Sequence, residues 1–313
     1  MATVLGCRTA RQPPPEPELI AVVEGDDHLE VLRGRDSDWK VVTTIPRTAR
    51  SLRFAPGSTA LAWIEDETTS NAPKMLGWLS APLGAPARSL GPLGLRRAEA
   101  AGLELSPQGD AIFLTEQGLL QSTSRSAPQR GTHPLWTDAG LVYVKPDNCL
   151  ANVAPPVCGN ALRPLEGRDE VLLSRTNTGL TWSDAHGARS FALRDVIDAR
   201  RQPSSSAVAV IHRVDDDGRT REALSLWTGG DTLTELLRAD VIISAEWDGA
   251  TLLVVREEHV AIIYDVLLAH APEEFGGEAM SGEALRVDPR TQTTTRLPWF
   301  EGKRVRRLIR ADN

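Results

Sequence analysis

Two stretches of this chain share one pattern. LELSPQGDAIFLTEQGLLQSTSRSAPQR begins at Leu103, and LRPLEGRDEVLLSRTNTGLTWSDAHGARS begins at Leu162. Each reads as strand, Gly-containing turn, acidic residue, apolar strand, Gly-Leu strand, and a polar turn with an Arg near its end. Looser copies begin at Leu52, Gln202 and Ser244, the last resuming as EALRVDPRTQTTTRLP after an insertion. Repetition of a strand-rich unit constrains the fold strongly, because a unit that cannot bury its own faces must stack on neighbours of the same kind. Apolar residues at helical spacing are nearly absent. The weak exception is IIYDVLLAHAPEEF, from Ile262 to Phe275, a short helix or an insertion loop.

The repeating unit holds about four strands, the size of a propeller blade. RFAPGSTALAWI and LELSPQGDAIFL resemble the Ser-Pro-Asp-Gly strand–turn–strand signature of TolB-type and WD-repeat-like β-propellers. LRVDPRTQTTTRL resembles the third and fourth strands of such a blade. Where the signature carries Asp-Gly, this chain has Gln108-Gly109 in one copy and Gly57-Ser58 in another. The resemblance covers most of residues 18–310 as degenerate repeats. It implies an all-β chain folded as a single closed β-propeller of four-stranded blades. The signature is structural, since Pro and Gly fix a tight turn, and it brings no catalytic residue.

Seven candidate innermost strands can be counted: Leu52–Ala55, Leu103–Ser106, Leu135–Thr137, Leu162–Leu165, Ile197–Arg200, Ser244–Glu246 and Val305–Ile309. They predict seven blades. Six blades plus a hairpin insertion carrying two cysteines is the alternative count. The first three strands, LIAVVEG, HLEVLRG and WKVVTTI, are one short of a blade, and the tail KRVRRLIRA is a strand without one. The tail is therefore expected to become the inner strand of the first blade, which removes the exposed edges of a ring left open. Residues 1–17 are expected to be a flexible Pro-rich tether and residues 18–313 the propeller domain.

The chain has 313 residues, 41% of them hydrophobic, with a net charge of −7. Such a chain has no global electrostatic attraction to nucleic acid. No apolar run reaches the roughly 18–20 residues of a membrane span. No nucleophile elbow, phosphate loop or dinucleotide fingerprint occurs. His28, His133, His186, His212, His259 and His270 form no close metal-binding pair. No catalytic, cofactor or metal site is read. Asp215-Asp216-Asp217-Gly218 lacks the alternating ligands of a calcium loop and reads as a hairpin turn. The eight tryptophans read as packing between blades rather than as an aromatic binding face. Arg304, Arg306, Arg307 and Arg310 concentrate on the closing strand. They read first as charge balance within an acidic protein and as ordinary surface arginines; the alternative is that alternate side chains of an inner strand face a central channel as contacts for an anion or an acidic partner.

Three cysteines remain: Cys7, Cys149 and Cys158. Cys149 and Cys158 are close enough in sequence to close a disulfide at little cost in chain entropy, or they are plain thiols. Val4-Leu5-Gly6-Cys7 resembles a bacterial lipobox, and Pro13-Pro14-Pro15-Glu16-Pro17 suits an extended spacer. That resemblance implies lipid attachment at Cys7 and accounts for the odd cysteine. Only six residues precede Cys7, fewer than the apolar core of a signal segment, so a lipoprotein reading expects its start further upstream. The function expected is a non-enzymatic binding or scaffold propeller on the periplasmic side of the bacterial envelope. It would hold protein partners, touch the membrane only through a lipid anchor, and recognise partners through the regions 147–160 and 267–282. The alternatives are a propeller hydrolase or lyase with a loop-built site and a cytoplasmic adaptor.

Overall fold

The computed structural model describes residues 18–35, 37–67, 74–94, 102–124, 127–168, 170–203, 205–258 and 282–311. The expected tether with Cys7, the Ile262–Phe275 segment and nearly all of the 267–282 region lie outside the described residues. Seven antiparallel sheets form a closed ring. Their innermost strands, taken in ring order as blades 1 to 7, are Val305–Arg310, Arg50–Phe54, Leu103–Leu105, Thr132–Thr137, Arg163–Arg168, Val196–Arg201 and Val241–Asp248. Each overlaps one of the seven stretches expected from sequence.

The first sheet runs from Val305–Arg310 through Leu19–Glu24 and His28–Arg35 to Asp38–Pro46. The end of the chain is thus the inner strand of blade 1, with Ile20 opposite Ile309 and Ala21 opposite Leu308. Six sheets have four strands, and blade 4 has three. In blade 4 the chain leaves the Leu150–Ala151 strand and turns back so that Cys149 lies opposite Cys158. Leu150 N–H donates to the Val157 carbonyl at 2.9 Å and Gly159 N–H to the Asn148 carbonyl at 3.0 Å. The cysteine segment is therefore the outer edge of a seventh blade, not an insertion into a six-bladed ring.

The cores sit in the wedges between blades. Ala209, Leu224, Trp247 and Val254 fill the wedge of blades 6 and 7. Leu19, Ala21, Leu253 and Leu308 fill the wedge of blades 7 and 1. Leu29, Leu61, Trp63 and Ile309 do the same for blades 1 and 2. Strand alternation makes this possible, because successive side chains point to the two neighbouring blades. Every tryptophan belongs to such a cluster or packs against one. Trp182 and Trp227 meet edge to face at 6.4 Å. Val41 is the exposed large hydrophobic residue found among the described residues.

Turn chemistry follows the sequence. Asp217 and Gly218 have φ of 54° and 82°, and they join the strands Val208–Asp216 and Arg219–Trp227. Two consecutive positive φ values make the tightest hairpin link, matching the twist of its strands. The Asp215 carboxylate accepts from Gly218 N–H at 2.8 Å and the Asp216 carboxylate from Arg238 at 3.1 Å. Gly109, with φ of 82°, closes the SPQG turn by donating to the Ser106 carbonyl at 2.9 Å.

Candidate functional site

The seven innermost strands enclose a channel of about 590 Å³. In a propeller the innermost strand presents its edge to the axis and its side chains to adjacent blades, so simple alternation cannot decide what lines the channel. Bulges decide it. Six of the seven innermost strands break register with their second strand, and only blade 3 keeps an unbroken ladder. The extra residues include Arg306, Leu52, Pro134, Leu165, Ile197 and Ile243, and all of them line the channel. A bulge leaves one residue outside the ladder and re-aims its side chain.

Beside these residues a charged cluster converges on the axis. Arg307 of blade 1, Arg53 of blade 2, Glu104 of blade 3, Glu166 of blade 5, Asp198 and Arg200 of blade 6, and Glu246 of blade 7 all line the channel. Glu246 accepts from Arg307 at 3.0 Å and lies 3.5 Å from Arg200. Arg200 also meets Asp198 at 3.0 Å and donates to the Leu165 carbonyl at 2.8 Å. Glu166 accepts from the backbone N–H of Arg201, and Glu104 from that of Leu105 at 3.2 Å. Arg53 lies 3.8 Å from Glu104, and Arg168 lies 3.8 Å from Glu166.

Burial sets the protonation energetics of this cluster. It pushes the Glu104 and Glu166 carboxyls above their ordinary value, against the opposing pull of Arg53 and Arg200 respectively. Burial also pulls Arg307 down, while Glu246 pulls it back up. For Arg200, burial favours loss of the proton, but Asp198, Glu246, Glu166 and Glu104 together outweigh it and raise its value. His133, at the channel wall, is pulled down to about 4 by burial and by Arg163 and Arg175, so at neutral pH it is an uncharged imidazole.

The arginines singled out on the closing strand point in different directions. Arg306 is buried, meets Glu24 at 3.1 Å and donates to the Ala49 carbonyl at 2.8 Å. Arg304 is exposed and pairs with Glu257 at 2.5 Å. Arg307 reaches across to blade 7. Arg310 is half-buried, and its carbonyl accepts from the Ser58 hydroxyl at 3.5 Å. Arg306 and Arg307 line the channel, yet both hold internal carboxylates. Cys149 and Cys158 are joined, with their sulfurs 2.05 Å apart. No cluster of three or more metal-ligating side chains occurs among the described residues. The cluster built from Glu104, Glu166, Asp198, Arg200 and Glu246 escaped sequence reasoning. Its members are scattered singly, and their only shared signal is position within predicted inner strands.

No protein-family model matches the chain, and no curated protein matches its sequence. Solved structures share its fold. TolB from Acinetobacter baumannii superposes with a TM-score of 0.53 at 10% identity, over 94% of this chain and 66% of TolB. The β-propeller domain of the Trilobed protease from Pyrococcus furiosus gives a TM-score of 0.53 at 10% identity, over 86% of each chain. That domain has an open velcro topology, whereas this ring is closed by its last strand. The chain thus spans 66% of TolB's own length, and at these identities the shared property is the propeller fold.

Proposed function

We propose that this protein is a non-enzymatic binding module that presents the loops of one propeller face to a protein partner in the bacterial envelope. The observation that carries this reading is the Cys149–Cys158 bond at the edge of blade 4. Disulfides persist in oxidising compartments, and pairing these two leaves Cys7 as the odd cysteine, the one in the lipobox-like sequence. Lipid attachment at Cys7 would then tether the ring through residues 1–17.

Strand order supports an orientation. The strand Leu19–Glu24 starts opposite Arg310, so the tether leaves from the face where the closing strand ends. The Lys145–Cys149 turn joins a second to a third strand, and so lies on the opposite face, where the strand Thr251–Glu257 also ends. A lipid tether joined to the first strand would leave that far face free to meet a partner. The closely paired ions Asp198, Arg200, Glu246 and Arg307 suit a rigid hub better than a reaction centre. A second reading, a propeller hydrolase or lyase, is favoured by the two buried carboxyls Glu104 and Glu166.

The test is the intact mass of native protein from its source organism, before and after reduction. The expected result is a chain beginning at Cys7, carrying acyl groups and gaining hydrogens on reduction. An unmodified chain retaining Met1 or Ala2, with free thiols, would overturn the envelope reading and favour a cytoplasmic adaptor.

A further inference from the structure

Bulges occupy the same place in six of the seven innermost strands, at the second or third residue. All of these strands start on one face of the ring, so the residues that the bulges re-aim stand in one tier of the channel. Five of them are apolar: Leu52 of blade 2, Pro134 of blade 4, Leu165 of blade 5, Ile197 of blade 6 and Ile243 of blade 7. The sixth, in blade 1, is Arg306, which turns to Glu24 and the Ala49 carbonyl. The channel therefore has an apolar collar near the face where its inner strands begin.

Below the collar the charges are already matched. The next residue along the strand is Arg307 in blade 1, Arg53 in blade 2, Glu166 in blade 5 and Asp198 in blade 6. Guanidiniums and carboxylates line the whole channel in nearly equal number, seven and six. Arg307 meets Glu246 at 3.0 Å, and Arg200 meets Asp198 at 3.0 Å. A ligand with a net charge would have to break such pairs or carry its charge unpaired into a partly dry cavity, and both are costly. A ligand without net charge meets neither penalty. It gains by covering apolar surface that water covers poorly. Ile197 and Ile243 are only half-buried, and both line the channel, so the wedge cores leave part of each side chain to a ligand. Arg307 can supply the polar contact. A guanidinium has five N–H donors, Arg307 gives one, from Nη2, to Glu246, and 22% of its side chain is exposed.

We propose that the channel binds a small uncharged compound with an aliphatic or alicyclic body and one hydroxyl or carbonyl group. The body sits in the collar against Leu52, Leu165, Ile197 and Ile243, and the oxygen accepts from Arg307 in the tier below. The channel volume of about 590 Å³ falls in the range of small-molecule sites, which are mostly apolar with a few placed polar groups. The site is independent of the envelope reading, since it needs neither the lipid nor the protein partner.

The experiment is calorimetric titration of the full chain at neutral pH with 1-adamantanol, and in parallel with 1-adamantanecarboxylate and 1-adamantylammonium, which share its shape and differ in charge. The expected result is saturable binding of the alcohol at one site, with each ion bound about tenfold more weakly or not at all. Ile197→Ser and Ile243→Ser should each lower the affinity for the alcohol about tenfold, because each strips aliphatic surface from the collar. Arg307→Met should also weaken it, and Arg307→Lys, which keeps a donor, should weaken it less. If a serine variant fails to fold, the corresponding Ile→Val variant replaces it, and the loss should be a few-fold. Absence of saturable binding of the alcohol overturns the proposal. Either ion binding as tightly as the alcohol, or unchanged affinity in both isoleucine variants, also overturns it.

Discussion

The guanidinium of Arg306 donates to the carbonyl of Ala49 at 2.8 Å, tying residues 257 positions apart in the chain. Arg306 sits in the strand that completes blade 1, and Ala49 precedes the inner strand of blade 2. The same side chain meets Glu24 at 3.1 Å. One buried residue therefore clamps the seam where the two ends of the chain close the ring.

Arg306→Ala should be strongly destabilising. It leaves Glu24 and the Ala49 carbonyl without this donor, and breaking a buried pair costs on the order of 3–5 kcal/mol. Truncation at Glu301 should do more, because it also removes Val305, Leu308 and Ile309 from two wedges. Urea unfolding checks both. A truncated chain melting cooperatively at the wild-type temperature would show that the ring does not depend on its last strand.

Reduction should loosen blade 4 first. Cys149 and Cys158 are nine residues apart, and a loop of that size stabilises by roughly 2–3 kcal/mol in the chain-entropy account. Hydrogen exchange on Cys149→Ser, Cys158→Ser protein should show faster exchange at Leu150 and Gly159. Exchange at Val210 and Leu224, in blade 6, should be unchanged. Uniform acceleration in every blade would mean that the disulfide supports the ring as a whole.

Replacing Gly218 tests the hairpin. No atom lies within 4 Å of where a Cβ would stand, so the cost of Gly218→Ala is conformational alone. A non-glycine residue held in this left-handed region costs about 1–2 kcal/mol. Thermal melts should show that loss, while Asp217→Asn should be nearly neutral because Asn tolerates the conformation. Equal losses from the two would point to the carboxylate of Asp217 rather than to backbone geometry.

Stability should fall in acid partly through His133. Its imidazole titrates near 4 in the folded protein against 6.5 when unperturbed. The unfolded chain therefore binds the extra proton between these values, so stability rises with pH there. This contribution is present above 6.5 and lost as pH falls through about 4, a change on the order of 3 kcal/mol. His133→Gln should flatten the unfolding free energy over that window. An unchanged slope would mean that the histidine is solvated.

Glu104 and Glu166 act in the opposite sense. Their folded values lie above the ordinary 4.5, so their contribution is greatest below it and is lost as pH rises through the raised values. Glu104→Gln and Glu166→Gln should therefore gain stability relative to wild type as pH rises from 4.5 to neutrality. Denaturant titrations across that range read the difference directly. A relative loss toward neutrality would mean that Arg53 and Arg200 outweigh the burial.

Much of the architecture was legible before any coordinates. Strand-length apolar runs and Gly-Pro turns reveal local geometry because they act within a few residues. The repeat reveals the blade because each blade meets the same packing problem. Asp217-Gly218 and the tail from Val305 were readable for these reasons. The disulfide stayed an alternative, because sequence proximity permits a bond without requiring one.

The amino-acid sequence determined the blade as the repeating unit, the closing strand and the packing of the tryptophans between blades, all consequences of local pattern repeated along the chain, while it left seven blades and six both open. The tertiary structure decided which side chains meet at the axis. A one-residue bulge at Leu165, Ile197 or Ile243 changes what faces the channel while leaving the strand pattern intact. Arg307 reads from sequence as balancing charge or as a channel contact, and only the fold shows that its carboxylate is Glu246, 61 residues away, at 3.0 Å. Glu104 and Glu166 carried no expectation, and they line the cavity with carboxyls that burial raises. Register and ring closure bring together residues far apart in the chain, and those long-range choices leave no periodic trace in the sequence.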